Sequence, residues 1–115
     1  MYDSVLVATD GSSGTTETLA HATSIARDND ATLHGLYVVD RRLYVAADKA
    51  NQDEVRQSLE EEGDVALDDI VVGGEEAGVE VVTTMAEGIP HKTITDYAEE
   101  EDIDVIVMGT HGRTG

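Results

Sequence analysis

The chain has 115 residues, no cysteine, and 25 acidic against seven basic residues, for a net charge of −18. That length suits one domain able to bury about two thirds of its unfolded surface. The missing cysteine excludes disulfides and thiolate metal ligands, and the charge repels nucleic-acid phosphates and anionic lipid, so neither nucleic acid nor a membrane is expected as a partner.

The N-terminal Met1-Tyr2-Asp3-Ser4-Val5 reads as the approach to a strand, not as a signal peptide. No apolar stretch approaches the roughly 20 residues needed to span a bilayer, so the expected compartment is the cytoplasm. Lysine occurs only at Lys49 and Lys92. A surface this acidic repels itself unless salt screens it, and at molar salt the screening length is about 3 Å. The composition therefore points to a halophilic source. Apolar residues are gathered in blocks such as Val5-Leu6-Val7-Ala8 and Val105-Ile106-Val107-Met108, which argues for buried strands and against disorder.

Ser4 to Thr9 reads as the first strand, ending at the turn Asp10-Gly11-Ser12-Ser13-Gly14. A helix follows over Thr15 to Asn29, with Leu19, Ala22, Ile25 and Ala26 on one face. Thr32 to Val39 is the second strand, closed by Asp40, which is expected to serve as a turn or cap. Arg41 to about Ala50 is ambiguous and reads as a loop with room for a turn of helix. Gln52 to about Val72 reads as a long helix with Val55, Leu59, Ala66 and Ile70 inward, interrupted at Gly63 and stopped by Gly73-Gly74. Val79 to Met85 is the third strand, and Gly88-Ile89-Pro90 opens a helix whose inner face is Ile94, Tyr97 and Ala98. Asp104 to Met108 is the fourth strand, and it runs into Gly109-Thr110-His111-Gly112-Arg113-Thr114-Gly115. Strands alternating with helices predict an α/β fold: an open parallel sheet, helices on both faces, right-handed crossovers.

In such sheets ligands sit beyond the carboxyl ends of the strands, where strand order reverses. Two strand ends carry fitting chemistry. Asp10 follows a buried strand, so its carboxylate reaches the rim, where it can bond ribose hydroxyls, hold a phosphate-bound cation, or simply cap a helix. Gly109 and Gly112 lack side chains, so their backbone can approach a phosphate and aim N–H groups at it, or form an ordinary loop. Neither a P-loop nor a dinucleotide fingerprint is present. The histidines, His21, His34, His91 and His111, have no zinc-like spacing. His34 is expected to be packed or at the surface, and Ser12 and Ser13 fit a capping role better than a nucleophilic one.

The segments VLVATDGS, LYVVD, YAEEEDIDVIVMG and THGRTG, taken together, resemble the universal stress protein family over nearly the whole chain. The resemblance implies a Rossmann-like sheet of strand order 3-2-1-4-5, a single domain over residues 1–115, a role in stress response, and a homodimer. ATP-binding members carry a glycine-x2-glycine-x9-glycine-Ser/Thr motif after the fourth strand, and Gly109 and Gly112 match its first pair. By the same resemblance Thr9 and Asp10 match the acidic position near the ribose and phosphates. Val38 matches the position whose backbone meets adenine, and Met108 and His111 match loop positions beside the nucleotide. The implied ligand is ATP or a related adenine nucleotide, with Mg²⁺ or Mn²⁺ held through the phosphates. The third glycine, its Ser/Thr, the fifth strand and the last helix would lie past Gly115, so the chain is expected to be a shortened member. Three functions stay open: a nucleotide-binding regulator with at most slow hydrolysis, a dimeric interaction module without nucleotide, and an adenylyl-transfer enzyme.

The halophilic expectation has a direct check. The melting temperature should rise as KCl is raised toward the molar range, and a melting temperature that is flat or falls with salt would discard it.

Overall fold

The computed structural model describes residues 2–9 and 15–108. In chain order these form β1 (Ser4–Thr9), α1 (Thr15–Asn29), β2 (Thr32–Asp40), α2 (Arg41–Val45), a short 3-10 turn (Lys49–Asn51), α3 (Gln52–Glu76), β3 (Val81–Gly88), α4 (Pro90–Glu100) and β4 (Val105–Met108). The strands pair in parallel in the order β3-β2-β1-β4. The first two long crossovers move the sheet one way and the third, from β3 over to β4, moves it back. Right-handed crossovers then require α1 and α3 on one face and α4 on the other, and the packing agrees. Val5, Val7, Leu33, Tyr37 and Val39 pack with Ala22, Ala26, Leu67 and Ile70, while Leu6, Ala8, Leu36 and Val38 pack with Ile94 and, at its margin, Tyr97 and Ala98. Leu6, Leu33, Leu36 and Ile70 have no exposed surface, and each such side chain contributes about 1.5–3 kcal/mol of burial.

Three helices end on one device. Asp30, Gly78 and Asp102 take left-handed backbone, with φ of 56°, 77° and 53°. In each case the next residue donates its N–H back across the last turn: Ala31 to the Ala26 carbonyl at 2.8 Å, Val79 to Gly74 at 3.0 Å, and Ile103 to Ala98 at 2.9 Å. The closing residues of the helices thus have carbonyl partners, and the chain is aimed into the following strand.

The structure corrects the reading of α3. The helix does not stop at Gly73-Gly74 but runs to Glu76, with Gly78 as its stop, so β3 begins two residues later than the sequence suggested. Gly63 and Gly74 are instead buried on its inner face, together with Leu67 and Ile70. A Cβ on Gly74 would lie 2.3 Å from a Val81 methyl carbon, and one on Gly63 would lie 2.4 Å from the Tyr37 ring. These glycines are close-approach points between helix and sheet. Among residues 41–50, the turn of helix that the sequence left room for is α2, followed by the start of the 3-10 turn.

Gly63→Ala should therefore destabilise the fold by about 1–3 kcal/mol, despite the gain of about 1 kcal/mol in helix propensity that alanine normally brings. Chemical unfolding measures this; a variant as stable as the parent would contradict the Gly63–Tyr37 packing.

Candidate functional site

The site is built from strand ends. β1 pairs with β2 up to Thr9 opposite Tyr37, and with β4 up to Ala8 opposite Met108. The carboxyl ends of β1 and β4 are therefore neighbours, and strand order reverses between them. β2 goes further: Val38, Val39 and Asp40 extend past the last β1 partner while staying paired to β3 as far as Asp40 opposite Gly88. The result is a step in the sheet edge, low at β1 and β4 and high at β2.

The backbone polarity of that step follows from the ladder. The Thr32 N–H bonds to the Asp3 carbonyl on the β1 side, and the Leu33 N–H bonds to Glu80 on the β3 side. Parallel pairing alternates these directions residue by residue. Even-numbered residues of β2 thus turn their N–H and C=O toward β1, and for Val38 and Asp40 that side lies at or beyond the end of β1. The Val38 side chain is buried under α4, so Val38 can meet a ligand only through its backbone.

Thr9 stands half-buried at the tip of β1, and Met108 is half-exposed at the tip of β4, cross-strand from Ala8. The structure thus brings Thr9, Val38 and Met108, three of the sequence-predicted positions, to one rim. Asp10, Gly109, His111 and Gly112 lie outside the described residues, as do Ser12, Ser13 and Arg113. The helix α1 begins at Thr15, six positions past Thr9, so its N-terminal amides open toward the same rim, where they favour negative charge.

Sequence reasoning missed the side-chain network flanking the high side of the step. Asp40 is buried; it accepts the Arg42 backbone N–H at 3.1 Å, Arg42 Nε at 2.9 Å and Arg42 Nη2 at 2.8 Å. These bonds hold its carboxyl below the usual carboxylate range. The expected cap role of Asp40 is present, since it is the N-cap of α2; the salt bridge to Arg42 was not anticipated. Next to it, Tyr44 donates its hydroxyl to Glu87, which pushes the phenol above its ordinary value. Arg56 reaches the other Glu87 oxygen at 3.1 Å. The two consecutive arginines after Asp40 were the available signal.

The remaining titratable candidates sit elsewhere. His21 and His91 are exposed on α1 and α4. His34 is buried on the α4 face of β2, with Nδ1 2.9 Å from the Tyr97 hydroxyl. It is paired with Leu6, toward the amino end of the sheet and away from the rim. Burial lowers its pKa and outweighs the opposing pull of Glu101 and Glu80. At the same amino end the Asp104 carboxylate accepts the Asp3 and Ser4 N–H groups at 2.8 and 3.0 Å, which ties the start of β1 to β4 and lowers the Asp104 pKa. Among the described residues no three His, Asp or Glu side chains are grouped to hold a metal ion, and no helix is long and apolar enough to cross a membrane.

Because the folded state takes up the His34 proton at a lower pH than the unfolded chain, His34 should contribute fully above its unfolded value of about 6.5 and less as pH falls toward the folded one. The stability difference between the parent and His34→Leu should therefore shift against the parent between pH 7 and pH 5. A difference independent of pH over that range would contradict a neutral, buried His34.

Comparison with known proteins supplies an independent view. The family model described as "Universal stress protein family" matches residues 1–115. The chain is 39% identical to Universal stress protein MJ0531 of Methanocaldococcus jannaschii over 116 residues, covering 100% of this chain and 68% of that protein. Among solved structures it resembles MJ0577 of the same organism, with a TM-score of 0.85 and 30% identity, covering 97% of this chain and 77% of the other. An Arabidopsis thaliana family protein solved with AMP bound gives a TM-score of 0.72 at 22% identity, covering 96% and 78% of the two chains, which shows a shared fold.

Proposed function

Because the chain belongs to the universal stress protein family, we propose that it binds an adenine nucleotide across the step between β1, β2 and β4, as a regulatory protein of stress response. The observation that carries this is the overhang of β2. It leaves the Val38 carbonyl and the Asp40 N–H past the last β1 residue and facing the switch point, where a planar base can pair with them and needs no side chain. Thr9 and Asp10 then serve the ribose and phosphates. Gly109, His111 and Gly112, directly after β4, close over the phosphates, with Met108 beside them. The Arabidopsis thaliana relative with AMP bound supports the ligand class.

ATP, or a related adenine nucleotide, is the proposed ligand, with Mg²⁺ or Mn²⁺ entering on its phosphates. Hydrolysis is at most slow in this reading; the described carboxylates flanking the rim, Asp40 and Glu87, are both held in ion pairs. A homodimer belongs to the same proposal.

Protein purified in molar KCl and then denatured should release AMP, ADP or ATP, identified by mass spectrometry, at close to one per chain. Asp10→Ala should weaken ATP binding by calorimetry about tenfold or more, the cost of losing a charge-assisted hydrogen bond. Folded parent protein that carries no nucleotide and takes up none at millimolar ATP would reject this function in favour of an interaction module.

A further inference from the structure

Past Val39 the chain turns through Asp40 into α2, and two separate sets of side-chain bonds hold that turn. Asp40 grips Arg42 through both carboxylate oxygens, at 2.9 Å to Nε and 2.8 Å to Nη2, and such a two-pronged pair fixes direction as well as distance. Two residues on, Tyr44 donates to one oxygen of Glu87 at the end of β3, and Arg56 of α3 takes the other at 3.1 Å. The Arg56 guanidinium also lies 5.7 Å from the centroid of the Tyr44 ring. One carboxylate therefore joins α2, α3 and β3.

A helix of five residues is too short to be stable by its own backbone bonds. Burial holds it only weakly: it has no fully buried residue, Leu43 and Val45 are half-exposed, and the Tyr44 ring alone packs, partly buried, against the main core. The two ties add directional bonds to that packing and to the Gln52 Nε2 bond on the Ala47 carbonyl at 3.2 Å. The position of α2 matters because it starts at Arg41, immediately after the overhanging backbone of Val38 to Asp40.

We propose that α2 is a fixed wall beside the base end of the nucleotide site, and that Asp40, Tyr44, Arg56 and Glu87 are positioning residues that hold the wall and the last residues of β2 in their binding geometry. The inference rests on the nucleotide reading above. Its physical content is preorganisation: a rim already held in place costs less ordering when the ligand arrives. Ties that merely stabilised the fold would shift the melting temperature and leave affinity alone.

Tyr44→Phe removes the hydroxyl donor and keeps the ring near Arg56; Glu87→Gln weakens both bonds at once. Calorimetry on the parent and each variant, with AMP and with ATP in molar KCl, tests the proposal, and thermal melting confirms that each variant is folded. The expected result is a loss of about three- to tenfold in affinity, by the same factor for AMP and ATP, because both ligands share the base and ribose. Unchanged affinity in a folded variant overturns the proposal. So does a loss for ATP that far exceeds the loss for AMP, which would place the effect at the phosphates. A folded parent that binds neither ligand rejects the nucleotide reading itself, an outcome read on the parent alone and so distinct from failure of the wall.

Discussion

Strand β1 is paired along both edges, with β2 on one side and β4 on the other, and the direction in which the chain crosses the sheet reverses at that strand. Much of the architecture follows from this reversal and from the handedness of crossovers. It puts α1 and α3 together on one face and leaves α4 alone on the other. It also leaves the carboxyl ends of β1 and β4 side by side, with no crossover among the described residues passing between them. Because β1 ends at Thr9 while β2 continues to Asp40, the reversal point is a step with polar backbone along its riser.

A step of this kind suits so acidic a chain. With seven basic residues in 115, the protein has few lysines or arginines to spend on an anionic ligand, and its overall field opposes one. Backbone N–H groups and the N-terminus of α1 are fixed partial positive charges that need no basic side chain and act at short range. High salt would screen the distant carboxylates and leave those close contacts largely intact. Two of the described arginines near the rim are turned elsewhere: Arg42 to Asp40, and Arg56 to Glu87 and Glu60. Their work is to hold α2 and the ends of β2 and β3 in place.

Much of this was legible in the sequence. The apolar blocks at Val5 and Val105, and the switch to helical spacing after Thr15, marked β1, β4 and α1 where the structure has them. The pairing of the first and fourth strands was expected from the resemblance to the stress protein family. The end of α3 was misread because Gly73-Gly74 looks like a stop, whereas the structure uses Gly74 to let Val81 approach and stops the helix at Gly78. A glycine that makes room and one that permits left-handed backbone are indistinguishable until the partner across the gap is known. The same holds for Gly63, whose reason is the Tyr37 ring 26 positions earlier in the chain. At the site, Thr9, Val38 and Met108 lie along one rim; the Asp40–Arg42 pair had a local signal, while the Tyr44–Glu87–Arg56 tie depends on tertiary placement that no local pattern encodes.

The central claim is that the overhanging end of β2 reads the base. Amide hydrogen exchange across residues 36–42, followed with and without AMP in molar KCl, tests it most directly. The account predicts that AMP slows exchange in that segment and at the tip of β1, with little change at the amino edge near His34 and Asp104. Saturating AMP that leaves residues 36–42 unprotected while protecting another surface would contradict it.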